Sequence, residues 1–391
     1  MTQVGISPAM GEVLDRPTHG GNLDWAARGA NCSPSEILDF SASINPLGPP
    51  RKAIAAIQSH IPSIRAYPDP SYYDFRQVLA HHHQAHHQPI DPDWICPGNG
   101  SAELLTWASR ELCSYDATAL ISPAFGDYGR SLRAFGGRIA TCLMMPERGS
   151  KGAGERGSRG AEKQGSGLVE VLDAGLKNWD GQLGIIINNP HNPTGQMWQR
   201  DEILSLMDRF ALVVVDEAFM DFLRPGQQQS VVDDVVNYKH LVVLRSLTKF
   251  YSMPGLRIGY AVTHPDRIRQ WQQWRDPWPV NTLAIAAAAA SLADVDFQRQ
   301  TLDWLDNARP RLFEGLQQIP RLSPCSSVAN YLLVHTEQSA VAWQRQLLER
   351  DRILIRDCVS FPELGDRYFR LAVRTVEENQ RLLAALRDIN F

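Results

Sequence analysis

Four short runs constrain the fold of this 391-residue chain more than any other feature. They are Thr118-Ala119-Leu120-Ile121, Gly184-Ile185-Ile186-Ile187-Asn188, Leu212-Val213-Val214-Val215 and Leu241-Val242-Val243-Leu244. A strand with one wet face alternates apolar and polar residues. A strand that is apolar at successive positions has both faces covered. Between the runs lie helical patterns, Asp127 to Phe135 and Arg200 to Arg209, and a further strand, Arg138 to Met144. This alternation predicts an α/β fold whose large domain is built on a mostly parallel sheet. Such sheets bind ligands at the carboxyl ends of their strands. Three polar residues stand there: Asn192 after one strand, Asp216 at the tip of the next and Lys249 after a third.

The flanking segments divide the chain. Residues 1–50 read as an extended arm, with a turn cluster at His19-Gly20-Gly21-Asn22 and a short strand from Asp39 running into the Pro/Gly loop Asn45 to Pro50. Residues 51–280 form the large domain. It opens with one helix from Arg51, striped by Ala53, Ile54, Ile57 and Ile61, and another from about Ser71. Residues 281–391 form a smaller C-terminal α+β domain. Its helices are Thr282–Leu292, Phe297–Gln318, Ala340 to Arg350 and Glu377 to Asn390; its strands are Val328 to Val334, Ile353 to Arg356 and Tyr368 to Val373. Arg374, just past the last strand, reads as a surface residue.

Other segments exclude functions. Residues 147–167 contain no large apolar side chain, cannot bury enough surface to order themselves, and read as a flexible insertion without a catalytic part. The histidines of His81 to His87 read as a solvated helix end, not a metal site, because no acidic or cysteine ligand stands beside them. Six cysteines without a C-x-x-C pair argue against zinc and disulfides and fit a reducing cytoplasm. Met1 to Asp15 has no basic-then-apolar leader pattern. Net charge of −4 gives no reason to expect nucleic acid, and Ala284 to Leu292 is too short to span a bilayer.

The stretch Ser246-Leu247-Thr248-Lys249, with Arg257 beyond it, supplies a lysine at a sheet rim among phosphate-binding side chains. A desolvated lysine loses its proton and attacks a carbonyl. That combination points to pyridoxal 5′-phosphate, whose other demands can be checked against the chain. Asp216 is the carboxylate for the ring nitrogen and Asn192 the donor to the ring oxygen, while Phe125 can stack on the ring. Asn99, Gly100 and Ser101, in a glycine loop opening a helix, join Ser246, Thr248 and Arg257 at the phosphate. Arg356 and Arg370 are carried on strands, and Arg370, between Phe369 and Leu371, is placed to meet an anion or a carboxylate. No metal is called for.

Asn192-Pro193-Thr194-Gly195, Asp216-Glu217-Ala218 and Ser246-x-Thr248-Lys249 with Arg257 resemble the fold type I pyridoxal-phosphate enzymes, the aspartate aminotransferase superfamily, from about residue 17 to the end. Within it the chain resembles the branch holding histidinol-phosphate aminotransferases and L-threonine-O-3-phosphate decarboxylases. The arm motifs, with Asp216 to Phe222, resemble the decarboxylases. The resemblance implies decarboxylation of a small phosphorylated amino acid, as in cobalamin biosynthesis. The alternative is transamination of histidinol phosphate with 2-oxoglutarate, and a rival of another class is a non-catalytic regulator that retains the fold. Aminotransferases of the branch usually carry a tyrosine where Phe219 stands. The resemblance also implies a homodimer, with Tyr67 reaching the cofactor phosphate of the neighbouring subunit. Arg370 would meet the substrate carboxylate and Arg356 the end near its phosphate, with His19, Gly20, Gly21 and Asn45 closing over the substrate.

Overall fold

The computed structural model describes residues 16–85, 88–146 and 167–389. The expected insertion, except Gly167, the stretch Met1 to Asp15 and two members of the histidine run, His86 and His87, lie outside the described residues. The strands are, in chain order, β1 (Leu38–Asp39), β2 (Ile95–Gly98), β3 (Ala117–Ser122), β4 (Ile139–Leu143), β5 (Leu183–Asn188), β6 (Leu212–Asp216), β7 (Leu241–Ser246), β8 (Gly259–Thr263), β9 (Leu322–Pro324), β10 (Tyr331–Thr336), β11 (Ile353–Leu354), β12 (Arg356–Asp357) and β13 (Tyr368–Ala372).

The large sheet has the order β2-β8-β7-β6-β5-β3-β4. Its pairs from β7 through β6, β5 and β3 to β4 are parallel, whereas β8 runs antiparallel to both of its neighbours. The apolar runs are explained by burial on both faces. Ile185, Ile187, Val213, Val215 and Val243 pack into one core cluster, while Ile186, Leu212, Val214, Val242 and Leu244 pack into another. The second sheet, β12-β13-β10-β9, is antiparallel and belongs to the smaller C-terminal unit.

Several expectations are corrected. The arm is not extended throughout: Leu23–Ala30 is a helix, capped by the Asn22 side chain, which accepts from the Trp25 N–H. Its Ala26 and Ala27 bury against Leu348 and Leu354, so a tertiary partner far along the chain decides the conformation. The expected strand Ile353 to Arg356 breaks in two. Ile353–Leu354 pairs in parallel with β1, and Arg356–Asp357 pairs with β13. Arg374 is not a simple surface residue; it donates to the Asp39 carbonyl and to both oxygens of Glu378. His83 is buried edge-on against Tyr260 and is no part of a solvated end. The helix Arg51–His60 leaves Ile54 exposed, and Ile61 and Ile64 follow it into solvent.

Candidate functional site

One pocket opens at the carboxyl ends of β5, β6 and β7, walled by the arm on one side and by β12 and β13 on another. Asp216 ends β6 and is buried in its floor. The Tyr128 hydroxyl donates to Asp216 Oδ2 at 2.8 Å, and the Ala218 N–H donates to Oδ1 at 3.0 Å. Burial pushes this carboxyl up. The Tyr128 hydrogen bond, the Lys249 ammonium and the Ala218 N–H pull it back down.

Lys249 follows β7 in the short helix Leu247–Phe250. Its Nζ lies 3.5 Å from Ser246 Oγ and 5.3 Å from the centre of the Phe219 ring. Burial pushes its pKa down and Asp216 opposes this, while Arg257 and Arg370 reinforce the fall. A lysine shifted in that direction holds more of the free amine, the nucleophilic form.

The anion end gathers Ser246, Thr248, Arg257, Ser101 and Ala102. Ser246 Oγ and Thr248 Oγ1 are 2.8 Å apart. Ser101 opens the helix Ser101–Leu112, whose first-turn N–H groups have no partner within the helix. Asn99 and Gly100 are not on the pocket wall. The Asn99 N–H is taken by Glu103 Oε2 at 3.0 Å, and the Gly100 N–H by the Gly98 carbonyl. Gly100 serves differently: a Cβ there would lie 2.4 Å from Arg257 Nη2, so its bare backbone makes room for the guanidinium.

The opposite end is cationic. Arg370, on β13, is buried, donates to Asn192 Oδ1 and to the Ser41 carbonyl, and lies over the Tyr331 ring. Its Nε has no hydrogen-bond partner among the described residues. Arg356 donates to the carbonyls of Pro17 and Thr18 and to Ser360 Oγ, binding the arm to β12. His19 and Gly20 line the pocket, with the His19 ring 5.7 Å from that of Phe125. Gly20 presses against the Ser41 carbonyl, 2.2 Å from where a Cβ would stand. Gly21 sits one layer out, its N–H on Ser41 Oγ.

Two expected site residues lie elsewhere. Asn45 does not face the pocket. It is buried beneath Lys249: its N–H donates to the Lys249 carbonyl, and its Nδ2 donates to the Phe250 carbonyl and to Thr301 Oγ1. Tyr67 is 78% exposed, stacked on Trp278, and absent from the pocket wall of its own chain. The sequence reading missed Tyr128, Tyr331 and Asn188, whose side chain accepts from the Asn192 N–H and donates to the Asp216 carbonyl. Their spacing carried a signal for two: Tyr128 is three residues past Phe125, and Asn188 four before Asn192.

The donor set fits pyridoxal phosphate: a buried carboxylate, an amine shifted toward neutrality, a stacking ring and a guanidinium beside a helix start. The sequence matches the family described as aminotransferase class I and II over residues 35–386. The chain belongs to that family. As a member of it, the chain is 36% identical over 386 residues to the threonine-phosphate decarboxylase of Salmonella typhimurium, covering 96% of this chain and 98% of that one. Two solved structures show the same fold. The histidinol-phosphate aminotransferase of Sinorhizobium meliloti in complex with pyridoxal-5′-phosphate has a TM-score of 0.78 at 21% identity, covering 94% of each chain. The L-threonine-O-3-phosphate decarboxylase of Porphyromonas gingivalis has a TM-score of 0.72 at 24% identity, covering 89% of this chain and 97% of that one.

Proposed function

We propose that this family member holds pyridoxal 5′-phosphate on Lys249 and decarboxylates L-threonine O-3-phosphate to (R)-1-aminopropan-2-yl phosphate and CO2, a step of cobalamin biosynthesis. The observation that carries the choice of reaction is the likeness to the Salmonella decarboxylase along nearly the whole chain. Bound pyridoxal phosphate supplies a protonated aromatic ring that draws electrons from the bonds at the Cα of an attached amine.

The chain's own residues do the rest. Asp216 holds the proton on the ring nitrogen, and Phe125 covers the ring. Asn192, whose Oδ1 is engaged by Arg370, keeps its amide N–H groups free to donate and would give one to the ring oxygen. Arg257, Ser246, Thr248 and the N–H groups of Ser101 and Ala102 grip the cofactor phosphate. Arg370, on the pocket wall, would take the substrate carboxylate and fix its orientation. Arg356 with His19 and Gly20 meets the substrate phosphate, and the arm excludes water. Lys249 Nζ carries the proton at Cα. Phe219 places an apolar ring beside that amine and offers no donor to the ring oxygen.

The working unit in this reading is a homodimer in the cytoplasm. Ile61, Ile64, Tyr67, Tyr73 and Trp278 are all more than 40% exposed, a concentration of apolar surface suited to a second copy, whose Tyr67 would complete the phosphate site. The six free cysteines agree with a reducing compartment.

The test is to give purified holoenzyme threonine phosphate without any 2-oxo acid. Release of one CO2 per substrate is expected. Glutamate formed from histidinol phosphate and 2-oxoglutarate, with no CO2 from threonine phosphate, would overturn the reading in favour of transamination. A protein that stays colourless after addition of the cofactor would favour a non-catalytic role.

A further inference from the structure

We propose that Tyr128 is a positioning residue, holding the Asp216 carboxylate in the orientation and ionisation state that the cofactor's ring nitrogen requires. The inference rests on the pyridoxal-phosphate reading above and adds a residue to it.

Tyr128 is buried in the first turn of the helix Gly126–Ala134. It touches both groups assigned to the cofactor ring. Its hydroxyl donates to Asp216 Oδ2 at 2.8 Å. Its ring meets Phe125 edge-on, with centroids 5.5 Å apart and planes at 83°. The Ala218 N–H fixes the other carboxylate oxygen. Each oxygen therefore has one protein donor, and the carboxylate plane is set from both sides.

The charges around this contact define what the hydroxyl does. Asp216 faces Lys249, and Lys249 in turn faces Arg257 and Arg370. Tyr128 faces Asp216, Tyr331 and Asp127. Burial alone would drive Asp216 toward its protonated form, in which it cannot act as counter-ion to a pyridinium. Burial, first, and then Asp216 hold the Tyr128 hydroxyl well above its ordinary pKa, so it stays a donor at every working pH. A histidine in this place would titrate; the phenol does not.

The experiment replaces the hydroxyl and varies the ring atom it acts on. Cofactor-free native protein and Tyr128→Phe are titrated with pyridoxal phosphate and with an analogue carrying carbon in place of the ring nitrogen. Tyr128→Phe is expected to weaken pyridoxal phosphate by about tenfold, equivalent to ~1.4 kcal/mol, and to leave the analogue's affinity unchanged. The pH at which the bound cofactor's visible absorbance changes should shift in Tyr128→Phe. In an Asp216→Asn background the same substitution should do nothing further. Tyr128→His, which keeps a ring N–H donor, should recover part of the preference for pyridoxal phosphate over the analogue, and serves if the phenylalanine variant folds poorly. Equal losses for cofactor and analogue, or a histidine variant without recovery, would mean that Tyr128 only packs against Phe125, and the proposal is overturned. Native protein that binds no pyridoxal phosphate would instead sink the underlying reading.

Discussion

Replacing Gly100 by alanine separates two physical effects at the anion end of the pocket. Gly100 has φ +75°, and a Cβ there would stand 2.4 Å from Arg257 Nη2. The first effect is backbone strain. The ψ at Gly100 is 159°, a combination with that φ open in practice only to glycine, so alanine there costs about 1–3 kcal/mol, and this loss appears in the cofactor-free protein. The second is displacement. Arg257 is the movable member of the clash, so its guanidinium swings off the phosphate site. A hydrogen bond to a charged group is worth about 1.5–3 kcal/mol, which is about 10–100-fold in cofactor affinity. The assay is a chemical melt of the cofactor-free variant, alongside absorbance titrations with pyridoxal phosphate and with pyridoxal. Gly100→Ala should melt earlier, lose about 10–100-fold in affinity for pyridoxal phosphate and bind pyridoxal almost as the native protein does. Adding Gly100→Ala to Arg257→Ala should weaken the cofactor no further, because the group it displaces is already gone. A variant that melts earlier yet binds pyridoxal phosphate with native affinity would refute the displacement argument.

Three further outcomes are expected. Asn45→Ala strips partners from the buried Phe250 carbonyl and Thr301 hydroxyl and should destabilise the protein by about 2–4 kcal/mol in urea melts. It should also lower kcat more than it raises KM, since it loosens the backbone under Lys249; an unchanged kcat would remove Asn45 from the site's support. His191 is buried and pushed down from its ordinary 6.5 to about 4, chiefly by burial. Above pH ~6.5 both states are neutral there, and as pH falls the unfolded chain takes the proton first, so about 3 kcal/mol of stability is lost between pH ~6.5 and about 4. His191→Asn should flatten that part of the stability curve relative to the native protein, and parallel curves would contradict it. If the proposed dimer uses this face, Ile64→Asp, at a side chain 64% exposed, should shift sedimentation toward a monomer and weaken cofactor retention without unfolding the chain; an unchanged sedimentation coefficient would contradict the proposed dimer contact.

The readable parts of the site were those fixed by local rules. Asp216 and Lys249 could be placed because β6 and β7 are apolar on both faces and must end where a polar residue meets the pocket. The parallel sheet followed from the same pattern. What escaped was set by partners distant in sequence. Asn45 sits in a loop whose pattern says only turn, and its amide is committed to Phe250 and Thr301, 205 and 256 residues away. The arm helix owes its place to Leu348 and Leu354, which no local propensity can anticipate. At Asn99 the limit is nearer: the carboxylate of Glu103, four residues on, occupies its N–H, a local contact that spacing could have suggested.

The joining of the arm to the last strands also fixes an order of events during synthesis. Arg356 and the Pro17 carbonyl it holds are 339 residues apart, and β1 pairs with β11 across a similar span. At a translation rate of about 5–20 residues per second, the arm waits roughly 20–70 s on the ribosome before its partner exists. A chain that has emerged only as far as Thr263 already carries Asp216, Asn192 and Lys249, but neither Arg356 nor Arg370. Lys249 is thus made well before the two arginines that share its pocket. During that interval the apolar face of Leu23–Ala30 lacks Leu348 and Leu354, the side chains it buries against in the finished fold.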